Sequence, residues 1–515
     1  MTQGTGRVAW AAACSVSVAA TAGARNDLWP VWRHQGALAG VGRELAATPD
    51  GGVLIASSSG QNGELRALDR LGQLQWTSPL PVPPQAGAKV EGLAVLANGD
   101  IAALVDGGDD YFVVRFTAGG VLLGTASYGG AGTDTGLALA SHPSGGYVVA
   151  GESNGGYGIP STPPLGPTGG FVALHDANAT EVWVRRIDDP SVSVGFTSVV
   201  ASQQGEIRAY GWSFDALDPY RREAWASLSG TGSVQTSSLF GFFGDYQWAV
   251  STPDGTTFTG SRSFSGSGWG ADARLRRTLP QGGTSSWYLT SGLGSDSVFH
   301  AAASDGQGGI YAWITNGEPT WIGLPQFVGA VRYDSAGQVV WSRAEASSVN
   351  AAVVLPFDEV VTSNSGASGS VQRLSRGTLG SSVCAGQPNS SGAPALLRAT
   401  GSAHVGDNAL VLFANGLPSS VLTICAASRG SASVPSFAGG MGTLCLGGPL
   451  ARISSVQASP LGSAAYAFDL LATPSPLGPL PALPGDTWHF QAWYRDVVGG
   501  LPTTNLSSSV SVLIP

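Results

Sequence analysis

Apolar and polar residues alternate on both sides of short polar turns along most of the chain. Around the turn at 334–337, Val331 and Tyr333 alternate with polar neighbours before it, and Val339 and Trp341 alternate after it. A period of two predicts a strand with one buried face. A glycine late in such a turn supplies the positive φ that a tight hairpin needs. The pattern therefore predicts a β-hairpin that ends in tryptophan.

This hairpin is one half of a unit that recurs along the chain. Further copies lie at 68–76, 115–123, 174–183 and 228–236. In the copy at 174–183, Asn178 stands where glycine is usual. The other half is a glycine turn followed by an apolar strand, with copies that begin at Thr48, Leu96, His142, Ser202, Ser251, Ser304 and, in degraded form, Leu355. Units spaced about 50 residues apart hold four short strands each, and seven of them predict a seven-bladed β-propeller.

The two ends of the repeat region complement each other. Residues 28–33 match the last strand of a unit with no unit in front of it, and the seventh unit lacks that strand. An N-terminal strand that completes the last blade closes a ring and removes unpaired sheet edges. We therefore predict that the propeller spans 25–380 and is closed by its N-terminal strand.

The repeat stops near Cys384, and about eight short strands separated by proline and glycine follow. The clearest strand lies at 486–496. It places Trp488 and Phe490 on one face and Gln491 and Trp493 on the other, as a half-buried antiparallel strand does. The sequence predicts a C-terminal β-sandwich over 381–515.

Residues 1–24 have the features of a secretory signal peptide. Arg7 precedes an apolar run of small residues, and Ala22-Gly23-Ala24 offers a cleavage site. Beyond this leader no apolar run approaches the roughly 18 residues of a membrane helix. We therefore expect a secreted or cell-surface protein.

Composition supports an all-β chain and excludes one class of partner. Charged residues make up only 11% of the chain and glycine contributes 75 of 515 residues, which disfavours helices. The formal net charge is −9 and no basic stripe is present, so a nucleic-acid partner is not expected. Lys89 is the only lysine, a scarcity that we attribute to codon bias.

The cysteines predict at least one disulfide. Cys14 lies in the leader, and Cys384, Cys425 and Cys445 lie in the C-terminal part. In a secreted protein two of these three pair and one thiol is left over. The spacing leaves Cys425 and Cys445 both open as partners of Cys384. No CxxC motif is present, so a structural zinc site is not expected.

No catalytic, cofactor-binding or metal-binding residue can be assigned from motifs. HExxH, HxH and phosphate-binding loops are absent, and the histidines fit surface or turn positions. The acidic turn from Asp106 to Asp110 lacks the further ligands of a calcium loop and fits a solvated hairpin tip.

Two weaker patterns suggest carbohydrate chemistry. Paired carboxylates hydrolyse glycosides, and residues that could line such a cleft are Asp188, Asp189, Asp215, Asp218, Arg221 and Arg222. Tryptophans outside the hairpins could stack on sugars, although packing between blades is the favoured interpretation; they are Trp212, Trp248, Trp269, Trp313 and Trp321.

The repeat unit, a DGG-type turn followed by D-x-x-G-x-x-x-W, resembles secreted bacterial β-propellers of the SBBP and delta-sixty repeat kind over 50–376. The tail is similar to an uncharacterised domain on secreted proteins of planctomycete-like and myxobacteria-like bacteria, through 442–453, 484–496 and 505–512. The resemblance implies export and a pairing of Cys384 with Cys445. It brings no catalytic residues.

We therefore expect a non-enzymatic binding or scaffold protein, whose propeller recognises a glycan polymer or a protein and whose tail aids sorting or attachment. One alternative is an extracellular glycan hydrolase or lyase with its site at one mouth of the channel. A quinone-dependent dehydrogenase is disfavoured, because the repeat lacks a regular tryptophan docking motif. Another alternative is a self-associating subunit of a surface layer or filament.

Overall fold

The computed structural model describes most of the chain from Trp29 onward. Residues 1–28 lie outside the description, so the leader stays a prediction. Within 29–515 the segments not described are 36–40, 60–61, 82–88, 156, 158–167, 216, 218–220, 240, 242–243, 265–270, 281–282, 290–296, 306–307, 317–326, 337–338, 346–348, 356–358, 365–369, 376–378, 460–461 and 475–477. The described residues form β-strands and one short 3₁₀ helix, Phe437–Gly439, which confirms the all-β prediction.

In the described part of the repeat region, the strands form seven four-stranded antiparallel sheets. In the first six sheets, strands that follow one another in the chain are neighbours. Sheets 1 to 3 contain β2 (Val41–Ala47), β3 (Val53–Ser59), β4 (Asn62–Leu68) and β5 (Leu74–Leu80); β6 (Lys89–Val95), β7 (Ile101–Asp106), β8 (Tyr111–Phe116) and β9 (Leu122–Tyr128); and β10 (Asp134–Ser141), β11 (Tyr147–Ser153), β12 (Gly169–His175) and β13 (Glu181–Ile187).

The remaining sheets follow the same plan, except that the last includes β1 (Trp29–Gln35). Sheets 4 to 6 contain β14 (Val192–Ala201), β15 (Ile207–Asp215), β16 (Arg221–Leu228) and β17 (Val234–Ser238); β18 (Gly244–Ser251), β19 (Thr257–Phe264), β20 (Ala271–Thr278) and β21 (Thr284–Leu289); and β22 (Ser297–Ser304), β23 (Ile310–Asn316), β24 (Phe327–Tyr333) and β25 (Val339–Glu345). Sheet 7 contains β26 (Val349–Leu355), β27 (Glu359–Asn364), β28 (Ser370–Ser375) and β1, which pairs with β28.

The sheets pack side by side through their first strands. Each first strand contacts the first strand of the next sheet, from β2 against β6 to β22 against β26, and β26 contacts β2. The arrangement is propeller-like, with the first strands innermost.

The turns explain why the glycine unit repeats. In the turn after β4, the Asp69 N–H donates to the Gln73 carbonyl and the Gly72 N–H donates back to the Asp69 carbonyl, both at 2.9 Å, with φ 77° at Gly72. The turn after β12 has the same bonds from Asp176 to Thr180, and Ala179 takes the left-handed position with φ 67°. The expectation that Asn178 replaces the glycine is therefore wrong by one residue, because the left-handed position is the fourth of the turn. Gly337 lies outside the described residues.

The hairpin aromatics dock onto the next sheet. The Trp183 indole Nε1 donates to the Gly230 carbonyl at 3.1 Å, and a Cβ on Gly232 would lie 2.6 Å from the same ring. Trp76 covers Gly120 in the same way. The repeated glycine and tryptophan are thus the two halves of a contact between neighbouring sheets.

The C-terminal part has ten strands in its described residues, two more than predicted. A five-stranded sheet runs β29-β38-β37-β32-β35, a three-stranded sheet runs β30-β31-β36, and β33 pairs with β34. The strands are β29 (Ser381–Cys384), β30 (Leu396–Thr400), β31 (Leu410–Asn415), β32 (Leu422–Ser428), β33 (Gly430–Val434), β34 (Leu444–Gly447), β35 (Ala451–Gln457), β36 (Ala464–Phe468), β37 (Thr487–Val498) and β38 (Leu501–Leu513).

The two larger sheets share one apolar core. Trp488 and Phe490 of β37 pack with Tyr466 of β36 in that core, as the alternation predicts. The opposite face of β37 is more covered than expected, because Gln491 is fully buried and Trp493 is half-buried. The disulfide joins Cys384 to Cys445 and Cys425 is buried and unpaired, which is the pairing that the resemblance implies.

Candidate functional site

The C-terminal part packs against one end of the repeat region. Phe413 and Ala465 share an apolar cluster with Leu45 of sheet 1 and Leu355 of sheet 7, where the first strands end. The Arg70 guanidinium, in the turn after β4, donates to the Asn408 carbonyl at 2.9 Å. These contacts lie at the end that carries the first and third turns. The opposite end, where second strands connect to third strands, is the candidate functional face.

A β-bulge interrupts the first strand of every sheet near this face. In sheets 2 to 6 the bulged residue lies five positions before the residue that opens the first turn. These five residues, here called the bulge girdle, are half-buried; they are Glu91, Leu137, Thr197, Gln247 and His300. Bulges redirect side chains and are over-represented beside active sites. Because the first strands contact one another in sequence, the girdle residues lie at one level on the neighbouring sheets 2 to 6.

A second layer lies two residues before each bulge. Cross-strand pairs at this position are Lys89 with Asp106, Thr135 with Glu152, Gly195 with Trp212 and Asp245 with Arg262. We call this the mouth layer. Sheets 2 to 5 thus bring ionisable or aromatic residues to the same end of the repeat region.

A group of two glutamates and the single lysine occupies sheets 1 and 2. The Lys89 ammonium donates to both Glu91 oxygens, at 2.7 and 2.9 Å. Burial raises the pKa of Glu44 to about 8; the charge of Glu91 adds to the rise and Lys89 opposes it. Burial also raises the pKa of Glu91, against the bond from Lys89. Glu44 is therefore a neutral acid at pH 7, beside the Lys89–Glu91 pair.

Sheets 3 and 4 contribute a carboxylate, an indole and a guanidinium. The Arg221 guanidinium lies 4.3 Å from the Trp212 ring centroid. A Cβ on Gly195 would lie 2.8 Å from both the Trp212 ring and a Glu152 oxygen. Burial raises the pKa of Glu152, while Arg221 opposes the rise. Arg221 and Gly195 therefore enclose the indole, and the exposed group at this point is the Arg221 guanidinium.

The other tryptophan candidates do not form sugar platforms in the described residues. Trp248 is 8% exposed and Trp313 is fully buried, so the sugar-stacking interpretation is wrong for both, and packing is their role. Trp269 and Trp321 lie outside the described residues.

The predicted aspartates are used locally. Asp188 forms a buried ion pair with Arg186 at 2.8 Å. Asp189 accepts the Ser191 N–H at 2.8 Å, and Asp215 accepts the Leu217 N–H at 2.8 Å. Asp218 lies outside the described residues. These contacts hold turns rather than a shared pair of carboxylates.

The acidic turn also closes on itself, since Asp106 accepts the Gly108 N–H at 3.0 Å. Among the described residues no group of three or more His, Cys, Asp or Glu is placed to hold a metal ion. His142 and His175 are buried, which corrects the expectation of surface or turn positions for His175. No helix in the described chain is long and apolar enough to span a membrane.

Sequence reasoning missed Glu44, Glu91 and Glu152. Each stands in an ordinary alternating strand, and a bulge leaves no signal in that pattern. The one available signal was Lys89, the only lysine, with a glutamate two residues later.

Comparisons with known proteins give similarities in structure alone. No family model matches the chain, and no curated protein matches its sequence. The chain is similar to the Pan2 WD40 domain of Neurospora crassa, at 11% identity and a TM-score of 0.45 over 68% of this chain and 96% of that one.

Two other solved structures are similar at this level. A protein of unknown function from Bacteroides caccae has 14% identity and a TM-score of 0.35, over 57% of this chain and 93% of that one. The BBS1N chain of a complex with ARL6DN has 11% identity and a TM-score of 0.41, over 68% of this chain and 98% of that one.

Proposed function

We propose that the seven sheets are the blades of a closed β-propeller in a secreted or surface, non-enzymatic protein that binds a glycan polymer. The binding site in this proposal is the mouth layer together with Glu44 and Glu91. The C-terminal part is a β-sandwich that aids sorting or attachment. The observation that carries the proposal is the gathering of half-buried ionisable groups from successive sheets at the end opposite the C-terminal part.

The mixture of donors and acceptors suits hydroxyl groups. A neutral Glu44 offers one O–H donor and acceptor oxygens, the Glu91 carboxylate accepts, and Lys89 donates. Arg221 adds a planar donor. A sugar ring presents several hydroxyls that both donate and accept, so a fixed set of both kinds recognises it better than a surface of one charge.

A glycan array probed with the full chain tests this proposal. We expect Glu152→Gln to weaken binding about tenfold, and Glu206→Gln, at the opposite end, to leave it unchanged. Because Lys89 is the only lysine, an amine-reactive reagent reports on the site directly. A bound glycan should protect Lys89 from labelling, as measured by peptide mass. Binding that leaves Lys89 labelling unchanged would contradict the site.

One observation favours an alternative, an extracellular glycan hydrolase or lyase. Glycoside hydrolysis needs one carboxyl that stays protonated and another that is ionised, and Glu44 beside Glu91 resembles such a pair. In that case release of reducing ends should disappear in Glu44→Gln while binding persists. No glycan binding, together with self-association on gel filtration, would instead favour a structural subunit.

A further inference from the structure

The outer face of the five-stranded C-terminal sheet contains an apolar cavity of about 200 Å³. Its wall includes side chains of β32, β37, β38, the 3₁₀ helix and the residue before β35, namely Ile424, Ala426, Trp493, Leu506, Phe437 and Leu450. Small-molecule pockets commonly measure about 300–1,000 Å³. This cavity therefore suits a single large side chain rather than a whole small molecule.

The aromatic residues at this cavity differ from those of the core beneath the same sheet. Trp488 and Phe490 are 1% and 0% exposed, whereas Trp493 and Phe437 are half-buried and meet edge to face, with ring centroids 5.9 Å apart. Leu450 at the rim is 45% exposed. Two rings and a leucine thus remain open to solvent around a concave surface.

Backbone strain flanks one wall of the cavity. Ser436 and Ala438 have φ of 50° and 53°, in the left-handed region that non-glycine residues avoid, and Phe437 lies between them. Residues held in such a conformation are uncommon and cluster at ligand clamps. The Phe437 ring lies between these two residues and forms part of the cavity wall.

The cavity is also held in shape from below. The Gln491 side chain accepts the Cys445 N–H at 2.8 Å and donates to the carbonyls of Thr443 and Ser507 at 2.9 and 2.8 Å. The disulfide from Cys384 to Cys445 ties the same strand, β34, to β29. A site fixed before binding loses little conformational entropy when it is filled.

The charges around the cavity have one sign. Arg452 lines it, and Arg495 lies two residues beyond Trp493 on the same face of β37. Both arginines are exposed, and in the described part of the chain neither forms an ion pair. Among the described residues that line the cavity there is no carboxylate. Exposed guanidinium groups bind carboxylates in bidentate fashion, so the rim complements negative charge.

We propose that this cavity is a docking site for an acidic peptide segment that inserts one large apolar side chain between Arg452 and Arg495. The apolar side chain fills the space bounded by Phe437, Trp493 and Leu450, as an anchor residue fills a pocket at an interface. Flanking carboxylates of the peptide pair with the two arginines. The site is independent of the glycan site of the repeat region.

Fluorescence anisotropy with the full chain tests the proposal. The probe is a dye-labelled peptide, Gly-Asp-Glu-Phe-Glu-Asp-Gly, compared with versions that carry Ala for Phe, or Asn and Gln for the acidic residues. We expect the Phe peptide to bind at least about tenfold more tightly than either version. Leu450→Asp should abolish the preference for the Phe peptide over the Ala peptide. The double variant Arg452→Glu, Arg495→Glu should abolish the preference for the acidic peptide over the neutral one. The matched control is Leu471→Asp, a similarly exposed leucine outside the cavity (53% exposed), which should bind as the unmodified chain does.

Two results would overturn the proposal. Equal binding of the Phe and Ala peptides would show that charge alone attracts the probe. Absence of peptide binding, combined with Leu450-dependent binding to phosphatidylglycerol vesicles, would assign the cavity to a membrane surface instead. Circular dichroism on each variant separates loss of binding from loss of folding.

Discussion

The repeat region divides its apolar core among several clusters of similar kind, whereas the C-terminal part has one large cluster and one small one. In the repeat region each cluster lies between neighbouring sheets: Val172 and Ala209 join sheets 3 and 4, and Leu54 and Val114 join sheets 1 and 2. In the C-terminal part a single cluster takes in both larger sheets. The repeat region is therefore held together by separate contacts between neighbouring sheets, whereas the two larger sheets of the C-terminal part share one core.

Local cohesion lets each interface use different chemistry. Between sheets 2 and 3, Tyr157 donates to Glu181 at 2.7 Å, Tyr111 bonds Tyr157 at 2.8 Å, and His175 Nε2 lies 3.2 Å from the Tyr111 hydroxyl. Each tyrosine hydroxyl has one proton to donate. Because Tyr157 gives its proton to Glu181, it must accept the proton of Tyr111. The Tyr111 oxygen must then accept the Nε2–H of His175. The histidine is thereby held in one neutral tautomer.

Between sheets 4 and 5 the interface is ionic. Glu223 is 1% exposed and accepts the Ser261 hydroxyl at 2.6 Å. The guanidinium groups of Arg274 and Arg276 lie at 3.3 and 3.2 Å from its oxygens. The repeat thus specifies where sheets meet, and individual residues specify how they adhere.

The largest predicted effect is at this ionic interface. Glu223→Ala leaves two arginines buried without their partner, which should cost about 3–5 kcal/mol of unfolding free energy. Glu64→Ala removes the partner of Arg66 from a pair whose side chains are 34% and 17% exposed and should cost under about 1 kcal/mol. Urea denaturation measures both, and equal losses would contradict a distinct buried interface.

The disulfide gives the corresponding test in the C-terminal part. Replacing Cys384 and Cys445 by serine frees a loop of 61 residues, which costs about 4 kcal/mol by chain entropy. Only the unfolding transition of the C-terminal core should shift, because the sheets of the repeat region are held locally. The control is the unmodified chain treated with dithiothreitol. A shift of both transitions by the same amount would show that the regions unfold as one.

The interface between sheets 2 and 3 predicts a pH dependence. Burial lowers the pKa of His175 to about 4, below the unfolded value of about 6.5. Between these values the unfolded chain binds more protons, so stability present above pH 6.5 declines as pH falls toward 4, by roughly 3 kcal/mol. In His175→Phe this component of the pH dependence should vanish in denaturation curves at pH 7 and 4.5. An unchanged slope would mean that other groups dominate.

The smallest effect concerns a single turn. Ala179 holds the left-handed position that glycine takes elsewhere, so Ala179→Gly should stabilise the protein by about 1 kcal/mol. Asn178→Gly, one residue earlier, should give no gain. Thermal unfolding distinguishes them, and stabilisation by Asn178→Gly alone would restore the assignment made from the sequence.

The sequence by itself determined the all-β class, the repeat and its glycine turns. It did so because alternation and positive-φ residues act over a few neighbouring positions. The boundary between the two regions also falls where the glycine repeat stops. The strand that ends at Ser375 pairs with β27 of the repeat region, and the strand that begins at Ser381 pairs with β38 of the C-terminal part.

Only the tertiary structure decided which residues meet. Glu91 stands at a bulge and its charge acts on Glu44 of the preceding sheet, and nothing in either local pattern marks that proximity. Trp493 is a second example. Alternation places it on a solvent face, but the β33–β34 hairpin covers about half of it. Gln491 and the disulfide hold that hairpin in place. Strand patterns depend on local backbone geometry, whereas sites depend on packing between distant segments, and packing is settled only when the whole chain has folded.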